Sequence, residues 1–261
     1  MNDRLTVLMA AIAAILILSS SAALGAAAVT DIGGDPKDST FGRKEYSPYL
    51  NQNFPQRVFW GETHVHTSYS TDSGLFGTRL TPDDAYRFAK GEEVVSSTGV
   101  RARIIRPLDF LVVADHAENL GLASMIVESN PQLLKSEWGR KIHDLTKQGK
   151  PDAAYAMWGE AQATGKDALP DPALMRSMWD RMMDFAKAHN EPGKFTALLG
   201  YEWTSSPETN NLHRVVVFRD DEETVDKVLP FSAFDSTDPE DLWAWMARYE
   251  ENAGGQVFSI P

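Results

Sequence analysis

The chain has 261 residues and a formal net charge of −12, from 25 Lys and Arg against 37 Asp and Glu. This acidic balance argues against a nucleic-acid partner, because non-specific binding to nucleic acid needs a cationic surface. Hydrophobic residues make up 43% of the chain, which excludes intrinsic disorder as its overall state. The sequence contains no cysteine, so disulfides, thiolate zinc sites, iron–sulfur clusters and cysteine nucleophiles are excluded. Any metal would be held by His, Asp, Glu or backbone oxygen.

Residues 1–28 have the three-part pattern of a secretory signal peptide. Arg4 precedes an apolar stretch at 5–18, and small residues follow, with cleavage sites after Gly25 or Ala28. The apolar stretch is shorter than the roughly 20 residues that a transmembrane helix needs. We therefore expect an exported protein, periplasmic or extracellular, with no stable membrane span after cleavage. An uncleaved membrane anchor is the alternative.

The remaining chain divides into an extended arm at residues 29–55, rich in Gly, Pro, Asp and Asn, and one domain at residues 56–261. Apolar periodicity and caps predict, in order, a strand over 58–66, a helix from Thr81 to Gly91, a buried strand over 110–114, a helical block over 119–190, strands over 195–203 and 214–218, a helix over 238–253 and a strand over 256–260. Strands that alternate with helices indicate an α/β layer or barrel. The helical block is longer than a normal crossover, so we interpret it as an insertion that covers the barrel mouth.

The first candidate site residues are His64 and His66, which end the first predicted strand. Side chains alternate in a strand, so both imidazoles project to one face while Val65 points to the other. Two imidazoles on one face can bind a borderline metal ion, and Asp72 in the following loop could add a carboxylate oxygen. The alternative is a pair of surface histidines followed by a turn aspartate.

Asp115 and His116 directly follow the apolar strand at 110–114. Active sites of barrels and open α/β sheets form at this carboxyl end of the strands. Adjacent side chains point in opposite directions, so we expect His116 to bind metal and Asp115 to orient a neighbouring histidine. The alternative is a helix-capping aspartate followed by an incidental histidine.

Glu202 lies on the same predicted strand face as Leu198 and Gly200, where a carboxylate is costly unless a cation neutralises it. His213 begins the next strand. A short loop between the two strands predicts a hairpin, and antiparallel pairing would bring His213 beside Glu202. The other two histidines, His143 and His189, are expected at solvated helix positions.

Taken in order, these motifs resemble the PHP (polymerase and histidinol phosphatase) superfamily. Within this superfamily, the sequence over residues 59–77, 106–121 and 199–218 looks like that of an exported branch catalogued as domain of unknown function 3604. The likeness covers residues 46–261. It implies a distorted (β/α)7 barrel, here incomplete and with a helical insertion, and a site of two or three divalent cations such as Zn, Mn or Fe.

The resemblance also implies residue roles. His64 and His66 would bind one metal, Glu202 would bridge two, and the neighbouring positions would be completed by Asp72, His116 and His213. Glu202 and Asp115 are the residues that we expect to take part in catalysis.

The resulting hypothesis is an exported metal-dependent hydrolase, a phosphoesterase that acts on a small anionic phosphate ester. An amidohydrolase-type enzyme is an alternative, because it also uses an H-x-H that ends the first barrel strand. A non-catalytic, metal-stabilised extracellular binding module is another. The superfamily pattern continues with a further His after the strand that ends at Ile260 and with a late Asp-x-His pair. We therefore expect this sequence to be the N-terminal part of a longer hydrolase.

Overall fold

The structure is a computed structural model that describes residues 58–206 and 210–261. The predicted signal peptide at 1–28 and the predicted arm at 29–55 lie outside the described residues. Within the described part, none of the helices combines the length and the apolar composition needed to cross a membrane.

Eight strands and eight α-helices are formed by the described residues. The strands are β1 Gly61–Val65, β2 Val94–Val95, β3 Arg101–Ala102, β4 Phe110–Val113, β5 Thr196–Leu198, β6 Gly200–Ser205, β7 Leu212–Phe218 and β8 Val257–Ile260. The helices are α1 Thr71–Leu75, α2 Pro82–Ala89, α3 Leu122–Glu128, α4 Glu137–Lys147, α5 Pro151–Ala163, α6 Pro172–His189, α7 Glu222–Val225 and α8 Pro239–Ala253. A short 3-10 helix, Leu133–Lys135, lies between α3 and α4.

Six of the eight described strands form two three-stranded sheets, which the continuous chain from β5 to β6 joins. One sheet is parallel in the order β1-β4-β5, and the other is antiparallel in the order β6-β7-β8. Only Leu199 separates β5 from β6. An isolated parallel bridge between His116 and Glu202 continues the register in which β4 pairs with β5. The chain beyond β4 therefore joins the two sheets at the point where the candidate site residues lie.

The mixed α/β class is confirmed, and the described strands form an open array with β1 and β8 at its ends rather than a closed barrel. The predicted helical block at 119–190 contains α3 to α6 and the 3-10 helix. The separate β2–β3 hairpin and the short helices α1 and α7 were not predicted, because each has too few residues to show a periodic pattern.

Strand β4 is buried on both faces, as its unbroken apolar sequence predicts. Leu111 and Val113 belong to the main hydrophobic core. Val112 belongs with Ala114, Val215 and Val217 to a second, smaller cluster on the other face. Because side chains alternate along a strand, His116 continues the face of Val112. The smaller cluster therefore forms the apolar floor beneath the candidate site.

Gly200 lies where β4, β6 and β7 pack closely together. A Cβ at this position would lie 2.6 Å from Val112 Cγ1 and 2.7 Å from the Val216 carbonyl oxygen. We expect Gly200→Ala to lower the free energy of unfolding by about 1–3 kcal/mol, because the strands must move apart.

The matched control is Gly159→Ala in helix α5, where an added Cβ has no neighbour within 4 Å. It should raise the free energy of unfolding by about 0.5–1 kcal/mol through helix propensity. Urea unfolding of both variants checks the difference, and equal effects would contradict this account of the packing.

Candidate metal centre

Six side chains from four separate segments converge at the joined ends of the two sheets. We call them the His/carboxylate cluster: His64, His66, Asp72, His116, Glu202 and His213. The imidazole ring centroids of His64 and His66 are 5.2 Å apart, and those of His66 and His116 are 4.8 Å apart. The rings of His116 and His213 are 5.9 Å apart. The structure thus brings together all six residues that the sequence analysis singled out as metal ligands.

Glu202 is the central member of the cluster. Its Oε1 lies 3.0 Å from His64 Nε2 and 2.8 Å from His213 Nδ1. Its Oε2 lies 2.8 Å from His66 Nε2 and 3.3 Å from His116 Nδ1. The side chain of Glu202 is only 1% exposed.

The atoms of Glu202 lie close to the imidazoles, but their angles do not make hydrogen bonds. Within the described residues, neither Oε1 nor Oε2 of Glu202 has a hydrogen-bond partner, and neither does His66 Nε2. Buried polar atoms in proteins are nearly always hydrogen-bonded or bound to a metal. These unpaired atoms therefore fit a divalent cation placed among them.

Asp72 lies on the side of the cluster that His66 and His116 form. Both of its carboxylate oxygens lie 3.3 Å from His66 Nδ1, and Oδ2 lies 3.5 Å from His116 Nε2. Ser70 Oγ donates to Asp72 Oδ1 at 2.5 Å and fixes the carboxylate.

Three overlapping groups of ligand atoms result, each with all its atoms within 4.8 Å of one another. They are His64, His66 and Glu202; His66, Asp72 and His116; and His116, Glu202 and His213. Imidazole with carboxylate is a donor set that suits Zn, Mn and Fe. Three protein ligands at a cation leave coordination positions for water or substrate.

The hairpin of β6 and β7 explains how Glu202 meets His213. Glu202 pairs with Val215, and Thr204 pairs with His213. Glu202 and His213 are therefore diagonal neighbours on one face of the hairpin, within reach of each other's side chains. The predicted hairpin is confirmed.

The side chain of Asp115 contacts Thr67 rather than the predicted histidine. Its carboxylate is fully buried and accepts hydrogen bonds from the Thr67 backbone N–H at 2.5 Å and from Thr67 Oγ1 at 2.6 Å. Burial raises the pKa of Asp115 to about 6, although these two bonds favour the ionised form. The expectation that Asp115 orients a histidine through its side chain is wrong, because Thr67 occupies both carboxylate oxygens. Asp115 instead fixes the chain directly after His66.

Two residues that the sequence analysis gave no role support the cluster. Thr204 Oγ1 lies 2.9 Å from both His116 Nδ1 and His213 Nδ1. Glu118 is fully buried; its Oε1 accepts hydrogen bonds from the backbone N–H groups of Thr204 and Ala233, and its Oε2 lies 3.6 Å from His116 Nδ1. Each follows a cluster residue by two positions in the sequence, so strand alternation was the signal that could have found them.

The remaining two histidines lie outside the cluster. His143 is partly buried and contacts Ser129 Oγ at 3.1 Å and Asp144 Oδ1 at 3.0 Å. The expectation of a solvated position is wrong for His189, which is 8% exposed. Its Nε2 lies 2.8 Å from Asp83 Oδ1 and its ring stacks on Tyr86, so tertiary packing of α6 on α2 decides its burial.

The pKa values show how strongly the charges of the cluster act on one another. Burial lowers the pKa of His66, but contacts with Asp72 and Glu202 outweigh it and raise the pKa to about 9. Burial also acts against the charged form of His116, whereas contacts with Asp72 and Glu118 raise its pKa to about 10. Burial acts to raise the pKa of Asp72, but hydrogen bonds with His116 and His66 hold it well below its usual range. Without metal, both rings therefore carry protons at neutral pH.

Metal binding at pH 7 is expected to release about two protons, because a cation must displace them from His66 and His116. Because the two pKa values are about 9 and about 10, the number of protons released falls as the pH rises through this range. The apparent affinity for the metal rises with pH until both rings are neutral. Calorimetric Zn²⁺ titrations in two buffers of different ionisation enthalpy measure the release. Asp72→Asn should reduce it, and Zn²⁺ binding without proton release would contradict the assignment.

A family model described as "Protein of unknown function (DUF3604)" matches residues 53–261. The chain belongs to the DUF3604 family. The DUF3604 match includes the whole His/carboxylate cluster and confirms the predicted branch, whereas membership of the wider PHP superfamily stays a prediction. No curated protein and no solved structure matches the chain.

Proposed function

We propose that this DUF3604 protein is an exported metal-dependent hydrolase of the PHP type, and that its reaction is the hydrolysis of a small anionic phosphate ester. The observation that carries the proposal is Glu202, a buried carboxylate with both oxygens unpaired among four imidazoles. A structural site needs one cation in a closed shell of ligands. A carboxylate with separate imidazole pairs on its two oxygens suits two cations at the short spacing used in catalysis.

Divalent cations bound here would lower the pKa of a bound water and neutralise the charge of the reacting phosphoryl oxygens. The side chains of the protein supply the fixed frame for this chemistry. Glu202 is itself held in place at the centre of the cluster, because hydrogen bonds between its backbone and the backbone of Asp115 and Ala117 fix its strand against the end of β4. Thr204 keeps His116 and His213 at a constant separation, since its hydroxyl contacts both rings.

The exposure of the cluster favours a substrate that reaches it from solvent. Glu202 and His116 are buried, whereas the side chains of His64 and His213 are 42% and 37% exposed. Open access to a charged metal site suits a small anion, because the cations would attract it and the surrounding imidazoles can donate to its oxygens. Export to the periplasm or outside the cell is proposed from the residue 1–28 pattern alone.

Glu202→Gln tests the proposal, because it keeps the shape of the side chain and removes the charge that two cations would share. With added Mn²⁺ or Zn²⁺, we expect the wild type to hydrolyse a chromogenic phosphomonoester or phosphodiester and the variant to lose this turnover. The variant should also bind about one metal ion fewer, measured by elemental analysis. Circular dichroism checks that its fold is retained.

The matched control is His143→Ala, a histidine outside the cluster that should leave turnover and metal content near those of the wild type. A wild type that holds about two ions and hydrolyses neither ester would overturn the phosphoesterase assignment. Turnover of a chromogenic amide would then favour an amidohydrolase, and no turnover of either class would favour a binding module.

A further inference from the structure

Three aromatic side chains form a continuous row that leads from the surface to the His/carboxylate cluster. We call Phe76, Tyr155 and Trp158 the aromatic strip. The ring centroids of Phe76 and Tyr155 are 4.8 Å apart, and those of Tyr155 and Trp158 are 5.5 Å apart. The row ends 5.9 Å from the ring of His116. It therefore lies along one side of the proposed metal centre.

The positions of these rings on α1 and α5 orient them toward the proposed metal centre. Phe76 caps α1 four residues after Asp72, so the two side chains lie on one face of that short helix. Tyr155 and Trp158 are three residues apart on α5 and share a face of it. Burial, and then the charge of Asp72, raises the pKa of Tyr155, which agrees with a position close to that carboxylate. Helix α5 of the insertion thus faces the cluster with two aromatic rings.

The exposure of the strip changes along its length. Trp158 is 2% exposed, Tyr155 is half-buried and Phe76 is 57% exposed. The outer rings, Phe76 and Tyr155, are accessible to a ligand, whereas Trp158 and its Nε1 are buried.

We propose that the aromatic strip binds an aryl group on the organic side of the substrate, while the phosphoryl group of the same molecule occupies the metal centre. This inference rests on the proposed function and names its substrate class, a phosphate ester of an aromatic alcohol. Aromatic side chains bind planar rings by stacked or edge-to-face contacts. The strip itself presents aromatic rings and no charged group. A neutral aryl group therefore fits the strip better than a polyphosphate chain.

The test compares two non-hydrolysable probes, phenylphosphonate and methylphosphonate, by calorimetric titration of the metal-loaded protein. Both carry the same phosphonate group, so their affinity ratio isolates the contact with the ring. We expect phenylphosphonate to bind about 10-fold more tightly, the size of an aromatic contact at a partly exposed site.

Variants of the strip locate the effect. Phe76→Ala and Tyr155→Ala should each reduce the ratio to about threefold or less, whereas Tyr155→Phe keeps the ring and should keep the ratio. Methylphosphonate affinity should change little in all three. The control is Trp243→Ala, which removes a ring that is 51% exposed on α8 and should leave the ratio unchanged.

The outcomes separate this inference from the proposed function. Equal affinity of the wild type for the two phosphonates would overturn the aryl assignment and leave the phosphoesterase proposal standing. A ratio that survives both alanine variants would overturn the assignment to the strip. Binding of neither phosphonate would overturn the phosphoesterase proposal and this inference with it.

Discussion

The structure depends on one unusual interaction, a buried glutamate placed among four imidazole rings. Taking the Glu202 carboxylate out of water costs several kcal/mol unless positive charge compensates it. In the metal-free protein, protons on His66 and His116 supply that charge. Contacts with Asp72, together with Glu202 for His66 and Glu118 for His116, raise the pKa of both rings. Divalent cations can replace those protons and also satisfy the carboxylate oxygens that lack hydrogen bonds. The cluster thus holds positive charge in either state, and we propose that the metal-bound state is the functional one.

The fold delivers this arrangement through strand alternation. Val112 and Gly200 precede His116 and Glu202 by four and two residues, and Val215 follows His213 by two. Each therefore lies on the same strand face as its cluster residue, and an apolar floor leads directly into the polar cluster. The join between the parallel and antiparallel sheets places strand ends from both at one point. Gly200 allows the close approach of the strands that this join requires. The apolar packing below therefore fixes the spacing of the ligands above.

The proximity of the six cluster residues could be predicted because most of them lie at or near the end of a strand, a signal that the local sequence makes visible. His213 could be placed beside Glu202 from hairpin geometry alone. The role of Asp115 could not be predicted, since it depends on Thr67, 48 positions away in the sequence. The burial of His189 likewise depends on contacts with α2. The position of the aromatic strip could not be predicted, because helical spacing does not reveal which neighbour a helix face packs against.

Anomalous diffraction from crystals grown with Zn²⁺ or Mn²⁺ tests the central claim most directly. We expect at least two anomalous peaks that share Glu202, one on each carboxylate oxygen, at the roughly 2.0–2.2 Å that a zinc–carboxylate bond requires. A single peak enclosed by four protein ligands would indicate a structural metal and contradict the catalytic interpretation. Peaks that leave both Glu202 oxygens uncoordinated would contradict the claim that this carboxylate organises the centre.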